Sequence, residues 1–424
     1  MISFSVQSFG CRVNQAETFV WVREFQKRGL RFCRDHARSD VILVNTCTVT
    51  QRADSDVKTF IRKIHRTNPT ARLVLTGCFA ERAGEELASS PQIWKIIPNA
   101  DKEELCQKLF PGFELDSART VNSFRSRALV KIQDGCNFRC RFCVVPSVRG
   151  RSRSSPQEEI VSQVQSYAAQ GFREIVLTGV HLCLYGRDLK PRTTLLGLLE
   201  GLENVSGLEQ IRLSSLDPRL LTDDLVGHLT SSSRICPHFH LSLQSGSDPV
   251  LHAMGREIHT GAYRQIIEFL RERLPLSAIG ADILVGFPRE SDEDFARTQK
   301  FLASSSLTYL HVFSYSPRPG TPAADWPQVE DRIKYARASV LRKLSREKNL
   351  RFRQMLLGQK CEGIVIKKDG AGARILTSNY IDVDVPLCPF GEKEAVRVRI
   401  TEVNQGKTCG EVVENEAPAC RFAA

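Results

Sequence analysis

The sequence predicts an α/β protein in three parts. These are an N-terminal parallel α/β layer, a central run of six βα units forming a partial TIM-like barrel, and a small C-terminal antiparallel β-barrel. Three observations predict it. Short apolar runs of strand length alternate with helical stretches from residue 2 to about 110, as parallel strands buried on both faces do. Six more strand candidates separated by helices fill about 122 to 330. From about 361 the texture turns to short β segments with turns between them. The expected domains are 1–115, 122–352 and 357–424.

In the first part, strands are expected over 3–9, 41–44 and 73–75 and helices over 16–28, 54–65 and 81–89. Gly29 and Asn68-Pro69 supply stops. Cys11, Cys47 and Cys78 each follow one of these strands, in Phe9-Gly10-Cys11, Asn45-Thr46-Cys47 and Thr76-Gly77-Cys78. Ligands of open α/β sheets gather at the carboxyl ends of strands, so the three are read as one metal-cluster triad. A lone cysteine there would be a small buried apolar residue, the reading kept for Cys33 and Cys106.

The second part opens with a strand over 128–133, ended by Asp134-Gly135, and then Cys136, Cys140 and Cys143 in C-x-x-x-C-x-x-C spacing. Zinc normally takes four protein ligands, and a disulfide framework needs a secreted context. Three thiolates on one loop can hold three irons of a four-iron, four-sulfur cluster and leave the fourth open. Further strands are expected over 174–177, 210–213, 238–243, 281–285 and 310–313. Ser155-Pro156-Gln157-Glu158 reads as a capping box with proline at the first helical position, closed by Gly171. Ser291-Asp292-Glu293-Asp294 opens another helix. The active site of such a barrel lies at the carboxyl ends of its strands.

Composition sets the remaining bounds. The chain has 424 residues, 42% of them apolar, and a formal charge of +11, which points to a polyanionic partner, nucleic acid first. No apolar run is long enough for a bilayer, and Met1-Ile2-Ser3-Phe4 opens no signal peptide. The expectation is a cytoplasmic protein without a membrane partner, in which 14 cysteines serve metal or redox chemistry. Residues 332–360 hold ten lysines and arginines against one acid, Glu347, a run able to track a phosphate backbone. Arg149, Arg151 and Arg153 add positive charge behind the cysteine loop. The last part should have strands over 363–367, 374–377, 396–403 and 410–413, with Cys361, Cys388, Cys409 and Cys420 structural.

Taken together, Gly10-Cys11-Arg12-Val13-Asn14-Gln15, Asn45-Thr46-Cys47-Thr48-Val49-Thr50, Thr76-Gly77-Cys78, the triple at Cys136, Cys140 and Cys143, Pro146-Ser147-Val148-Arg149-Gly150-Arg151, and Leu241-Ser242-Leu243-Gln244-Ser245-Gly246 resemble the radical S-adenosylmethionine (SAM) methylthiotransferases. The likeness runs essentially end to end. Its wording is nearest to the branch acting on threonylcarbamoyladenosine beside the tRNA anticodon, at position 37. The resemblance implies a radical SAM core and a C-terminal TRAM module that binds RNA. It implies two 4Fe-4S clusters, at Cys136, Cys140, Cys143 and at Cys11, Cys47, Cys78, with no catalytic residues beyond these ligands. The first would bind SAM and generate a 5′-deoxyadenosyl radical; the second would present the sulfur that reaches carbon 2 of the adenine.

The resemblance also implies tRNA as a partner, a reductant such as flavodoxin or ferredoxin, and a monomer or weak dimer. By position after the strands, Thr178, Gly179, Ser215, Asp217 and Gln244 should contact SAM. Asp282, inside an apolar strand, should have a pocket role or a buried ion pair. Arg149, Arg151, Arg153, Arg397 and Arg399, with Asn379-Tyr380, are the expected RNA contacts. Cys183-Leu184 stands where the family suggests Gly-Ser, and Arg289 where it suggests glycine. The alternatives are methylthiolation of isopentenyladenosine or of a ribosomal protein and, in another class, a zinc-containing RNA-binding protein.

Overall fold

The computed structural model describes residues 1–88, 90–116, 119 and 125–413. Ser89, the expected domain start at 122 and Cys420 lie outside the described residues. The three expected domains distribute over two compact units. One comprises Met1–Phe124, Asp134–Ser152 and Ser316–Asp325; the other comprises Arg125–Gln133, Arg153–Tyr315 and Trp326–Ala424. The loop bearing Cys136, Cys140 and Cys143 therefore belongs to the unit of the N-terminal layer.

In the first unit the elements run β1 (Ser3–Ser8), α1 (Arg12–Lys27), β2 (Arg31–Phe32), β3 (Val41–Thr46), α2 (Gln51–Thr67), β4 (Arg72–Gly77), α3 (Cys78–Ala88), β5 (Ile93–Ile97), α4 (Leu105–Leu109) and, after the cysteine loop, α5 (Val145–Arg149). The strands pair in parallel in the order β2-β1-β3-β4-β5. Successive side chains of a strand face opposite ways. Val41 and Leu43 accordingly join Trp21, Phe25 and Leu105 on one face, while Ile42 and Val44 join Val57, Ile61 and Phe79 on the other. β2 and β5 were not expected: β2 has two residues, and β5 lies at the sheet edge with little alternation. α1 starts four residues before the expected position because Cys11, in extended conformation, is its cap, and the polar first turn carries no apolar period.

In the second unit all six expected barrel strands form. They are β6 (Ala128–Asp134), which runs on from this unit into the cysteine loop, β8 (Glu174–Gly179), β9 (Gln210–Leu213), β11 (His238–Gln244), β12 (Ala278–Val285) and β13 (Tyr309–Ser314), with short β7 (Arg153–Ser154) and β10 (Ser215–Leu216). They make two four-stranded sheets, β7-β6-β8-β9 and β10-β11-β12-β13. A parallel bridge between Ile211 and Ile235 lies where one gives way to the other. Helices α6 (Gln157–Ala169), α7 (Leu195–Glu203), α8 (Asp223–Ser231), α9 (Asp248–Ala253), α10 (Thr260–Arg273) and α11 (Asp292–Ser304) intervene. Ser291 and Asp294 form the reciprocal capping box at α11. The box expected at Ser155 does not form: Pro156 occupies the cap position of α6, and the Ser155 N–H donates instead to Ile132 O at 3.0 Å.

The unit ends with α12 (Asp331–Met355) and strands β14 (Lys360–Asp369), β15 (Gly372–Thr377), β16 (Asp382–Val385), β17 (Ala395–Val403) and β18 (Thr408–Val413). These close in the order β14-β15-β16-β18-β17. The unexpected β16 meets β18 in parallel, so the barrel is not wholly antiparallel. Arg212 anchors it to the central strands. Its guanidinium is fully buried, pairs with Glu174 at 2.7 Å, and donates to Ser378 O at 2.9 Å and Thr377 O at 3.1 Å.

Candidate metal centres

The order of the first sheet places a topological switch point between β1 and β3, where chains leave in opposite directions and a crevice opens. Cys11 ends the turn after β1, Cys47 follows β3, and Cys78 is the first residue of α3. Asn14 ties these ends together, its Nδ2 donating to Phe9 O and Thr46 O, each at 2.9 Å. Thr46 Oγ1 donates to Thr76 O at 2.7 Å. Gly10 has φ +85°, and a Cβ there would lie 2.5 Å from Cys47 Sγ, so only glycine brings the first strand end this close. Cys47 and Cys78 are buried, while Cys11 keeps solvent access at the rim. Burial pushes the Cys47 thiol up to about 12, with the charges of Cys11 and Cys78 adding to it. Although Cys11 is exposed as a residue, its thiol is enclosed, and that burial likewise raises its pKa, with Arg149 opposing. Such thiols stay protonated until metal displaces the proton.

Arg149 lies among them and overturns its expected role. It is buried and offers RNA no surface. Its Nε donates to Cys78 Sγ at 3.2 Å, Nη1 to Glu17 at 3.0 Å and to Asp134 at 2.8 Å, and Nη2 to Asn14 Oδ1 at 2.5 Å. Lys102 meets the other Glu17 oxygen at 2.7 Å. Two cations thus face two carboxylates. Burial works against the charge of Arg149, but Glu17, Cys78 and Asp134 outweigh it and hold the guanidinium ionised. Burial lowers the pKa of Lys102, with Glu17 opposing.

The second triad hangs on the loop after β6. Gly135 has φ +70°, and a Cβ there would overlap the Arg151 carbonyl. That close approach lets Cys136 N donate to Gly150 O at 3.1 Å. Cys143 N donates to Cys140 O at 3.0 Å, and Ser152 N to Asn137 Oδ1 at 3.0 Å. Burial pushes Cys143 up to about 12, with Cys140, Cys136 and then Cys78 of the first triad adding to the shift. Cys78 also packs with Val144 and Val148. Each triad offers three thiols, a donor set that suits iron–sulfur clusters.

The expected cofactor residues lie in the second unit. Thr178 is fully buried, and its hydroxyl has no partner among the described residues. Gly179 packs on Gln133. Ser215 is exposed, and Gln244 is half-buried with φ +84°. Asp217 departs from its expected open position. Its carboxylate is consumed by His181 at 3.0 Å, Arg219 at 2.6 Å and Arg256 at 3.1 Å, and after burial is counted these hold it well below the usual carboxylate range. This network was not foreseen, since its members are scattered in sequence. Asp282 is half-buried, with a carboxylate oxygen 3.0 Å from His240 Nε2. Burial pushes the Cys183 thiol up to about 12, which suits a small apolar filler. Arg289 adopts φ +69°, a conformation glycine would favour, with its guanidinium 5.2 Å from the Trp326 ring centroid.

Of the expected RNA contacts, Arg151, Arg153 and Arg399 are exposed, and Arg397 is half-buried beside Glu362 at 3.5 Å. Asn379 and Tyr380 turn inward: Asn379 Nδ2 donates to Leu276 O at 3.1 Å, and Tyr380 stacks on His238 at 4.2 Å. The basic run is divided. Lys334, Arg337, Lys348 and Arg353 are buried, with Arg337 paired to Glu290 at 2.6 Å, while Arg342, Lys343, Arg346 and Arg351 stay exposed.

Residues 3–97 match the family model described as uncharacterized protein family UPF0004, and residues 130–302 match the radical SAM superfamily. The chain is 37% identical over 395 residues to the threonylcarbamoyladenosine tRNA methylthiotransferase MtaB of Aquifex aeolicus, covering 89% of this chain and 95% of that one. It is 31% identical to the protein of the same name from Thermotoga maritima, covering 99% and 100%. Among solved structures, the radical SAM methyltransferase TsrM of Kitasatospora setae aligns with a TM-score of 0.56 at 14% identity, over 76% of this chain and 77% of that one, a likeness of fold alone. No helix among the described residues is long and apolar enough to cross a membrane. The radical SAM family implies a 4Fe-4S cluster and SAM. The chain belongs to the MtaB branch of the radical SAM methylthiotransferase family.

Proposed function

We propose that the protein adds a methylthio group to carbon 2 of threonylcarbamoyladenosine at position 37 of tRNA. The observation that carries this reading is the presence of two cysteine triads in one compact unit, with Cys78 of the first packed against Val144 and Val148 just after the loop of the second. In this reading Cys136, Cys140 and Cys143 hold one cluster and Cys11, Cys47 and Cys78 another. With SAM, these groups supply one-electron chemistry and the transferred sulfur. The chain's own residues bind and orient. Arg149 holds Cys78 and neutralises Glu17 and Asp134. Thr178, Gly179, Ser215 and Gln244 contact SAM, while Asp217 acts indirectly by fixing His181, Arg219 and Arg256. Arg151, Arg153, Arg399 and the exposed side of α12 hold the RNA backbone, with the C-terminal barrel as a TRAM-type module. The base must leave its stack to react, which suits an anticodon loop.

The shared name of the relatives and the charge of +11 support tRNA as substrate. The test is nucleoside mass spectrometry of tRNA from a host lacking adenosine methylthiolation, with and without this gene. Appearance of 2-methylthio-threonylcarbamoyladenosine is the expected result. Appearance of 2-methylthio-isopentenyladenosine would keep the chemistry and overturn the substrate. No change in cells with verified iron loading would turn attention to a protein substrate.

A further inference from the structure

A third stretch of chain, Ser316–Asp325, belongs to the compact unit of the two cysteine triads. It carries prolines at Pro317, Pro319 and Pro322. Each fixes φ and lacks an N–H, and the residue before each is pushed to extended backbone. Pro319 and Gly320 are the central pair of a tight turn, closed by Thr321 N donating to Arg318 O at 3.1 Å. Gly320 has φ +82°, as the second central residue of a type II turn requires. The Thr321 hydroxyl donates to the same carbonyl at 2.8 Å, and a short helical turn follows over Pro322–Asp325. Local chemistry alone makes this stretch stiff.

Its first half grips the loop of Cys47. Arg318 is buried, and its Nη1 donates to Thr48 O at 3.3 Å and to Asp54 Oδ2 at 2.7 Å. Thr48 follows Cys47, and its hydroxyl donates to Asp54 Oδ1 at 2.6 Å. Arg82 completes the group, reaching Thr48 Oγ1 at 3.0 Å and Asp54 Oδ2 at 2.7 Å. Ser316 Oγ accepts from Gln51 N, at the start of α2, at 3.1 Å. The second half grips the other triad. Ala323 is fully buried, and its N–H donates to Arg141 O at 3.0 Å. Arg141 lies between Cys140 and Cys143. A buried ion pair such as that of Arg318 and Asp54 is a weak source of stability. What this one supplies is register, because Arg318 and Ala323 stand on one stiff stretch and each reaches a different cysteine loop.

We propose that Ser316–Asp325 is a brace that sets the separation of the two triads, with Arg318 as its positioning residue. The inference rests on the reading above that each triad holds a cluster, and it deepens that reading. Methylthio transfer joins a sulfur presented at one triad to a carbon activated from the other, so the two must keep a fixed distance. A misplacement of about 1 Å can cost about a hundredfold in such a reaction. Arg318 acts through Thr48 and Asp54 on the loop of Cys47, so its loss should appear as lost coordination between the two sites rather than as lost metal.

The experiment uses the full chain, reconstituted with iron and sulfide without oxygen. Electron paramagnetic resonance reads the magnetic interaction between the two reduced clusters, which depends steeply on their separation and needs no RNA. Turnover on an anticodon stem-loop bearing threonylcarbamoyladenosine gives the ratio of 5′-deoxyadenosine released to methylthiolated product. Iron content and urea unfolding of the metal-free protein are measured alongside. The wild type should hold about eight irons per chain and show the interaction. Arg318→Ala should keep its iron, weaken the interaction and raise the ratio about tenfold or more. Arg318→Lys restores a charge beside Asp54 but not the fork that also reaches Thr48. It should unfold closer to wild type while the interaction stays weakened and the ratio raised, and it carries the test if the alanine variant fails to fold. A lysine variant that recovers stability, interaction and ratio together would confine Arg318 to a structural role and overturn the brace. So would an alanine variant with the interaction and ratio of the wild type. A wild type with about four irons and no interaction would overturn the two-cluster reading, and the brace with it.

Discussion

Arg149 Nε lies 3.2 Å from Cys78 Sγ, so the segment following one cysteine loop donates a hydrogen bond to a sulfur of the other triad. The same guanidinium neutralises Glu17 and Asp134. Hydrogen bonds to cluster sulfurs are among the factors that set reduction potential. A residue placed this way serves as a positioning group for the first triad.

Replacement of Arg149 should therefore be felt in two measurements. Arg149→Ala leaves two buried carboxylates with less compensation and should cost about 3–5 kcal/mol in urea unfolding of the metal-free protein. Arg149→Lys keeps a charge but loses the fork that reaches Cys78, Glu17 and Asn14 together. It should unfold closer to wild type, yet the cluster proposed at Cys11, Cys47 and Cys78 should titrate at a more negative potential in spectroscopic redox titration. An unchanged potential in the lysine variant would confine Arg149 to a structural role.

Gly135→Ala is expected to act on the second triad. The position has φ +70°, and the new Cβ would overlap the Arg151 carbonyl, so the turn carrying Cys136 must shift. Anaerobic iron analysis should fall from about eight irons per chain toward about four. SAM cleavage should be lost while the cluster proposed at Cys11, Cys47 and Cys78 remains.

Much of this was legible in sequence, and the exceptions share a cause. All six barrel strands showed as short strand-like segments between helices, and Cys11, Cys47 and Cys78 stood out because they recur at the same point of successive units. What stayed hidden depends on residues that are distant in sequence. Arg149 reads as one of a row of surface arginines until Glu17 and Asp134 are seen beside it. Asp217 reads as an open ligand until Arg219 and Arg256 close on it. Half-buried helices mislead in the same way: α12 looks uniformly basic, yet Arg337 and Lys348 point to internal acceptors. Short edge elements such as β2 and β16 carry too few residues to show a period.

Arg212 offers a test of how the C-terminal barrel is held. Its buried guanidinium joins Glu174 to the carbonyls of Thr377 and Ser378. Arg212→Met should destabilise the protein by about 3–5 kcal/mol, because Glu174 keeps a buried charge with a weakened partner set. The double change with Glu174→Leu should cost less than the single one, and limited proteolysis should show earlier release of the barrel in the single variant. Additive losses would mean that the ion pair does not couple the two residues.

Asp217 gives a prediction in pH. Hydrogen bonds from His181 and Arg219 and the charge of Arg256 overcome burial and depress its folded pKa below the ordinary value. In the unfolded chain the carboxyl takes up its proton near pH 3.9, while the folded form still refuses it. The unfolded state thus binds more protons as pH falls through that region, and stability drops with it. The contribution of Asp217 is complete above about pH 5 and is lost progressively below about pH 4. Asp217→Asn should be less stable than wild type at pH 7, because Arg219 and Arg256 lose their counter-charge. The gap between the two should then narrow between pH 5 and about pH 3, in urea midpoints measured on the same metal-free protein. Other carboxylates titrate equally in both proteins, so the difference isolates this one. A gap that stays constant across the range would mean that the carboxylate is not held ionised by its neighbours.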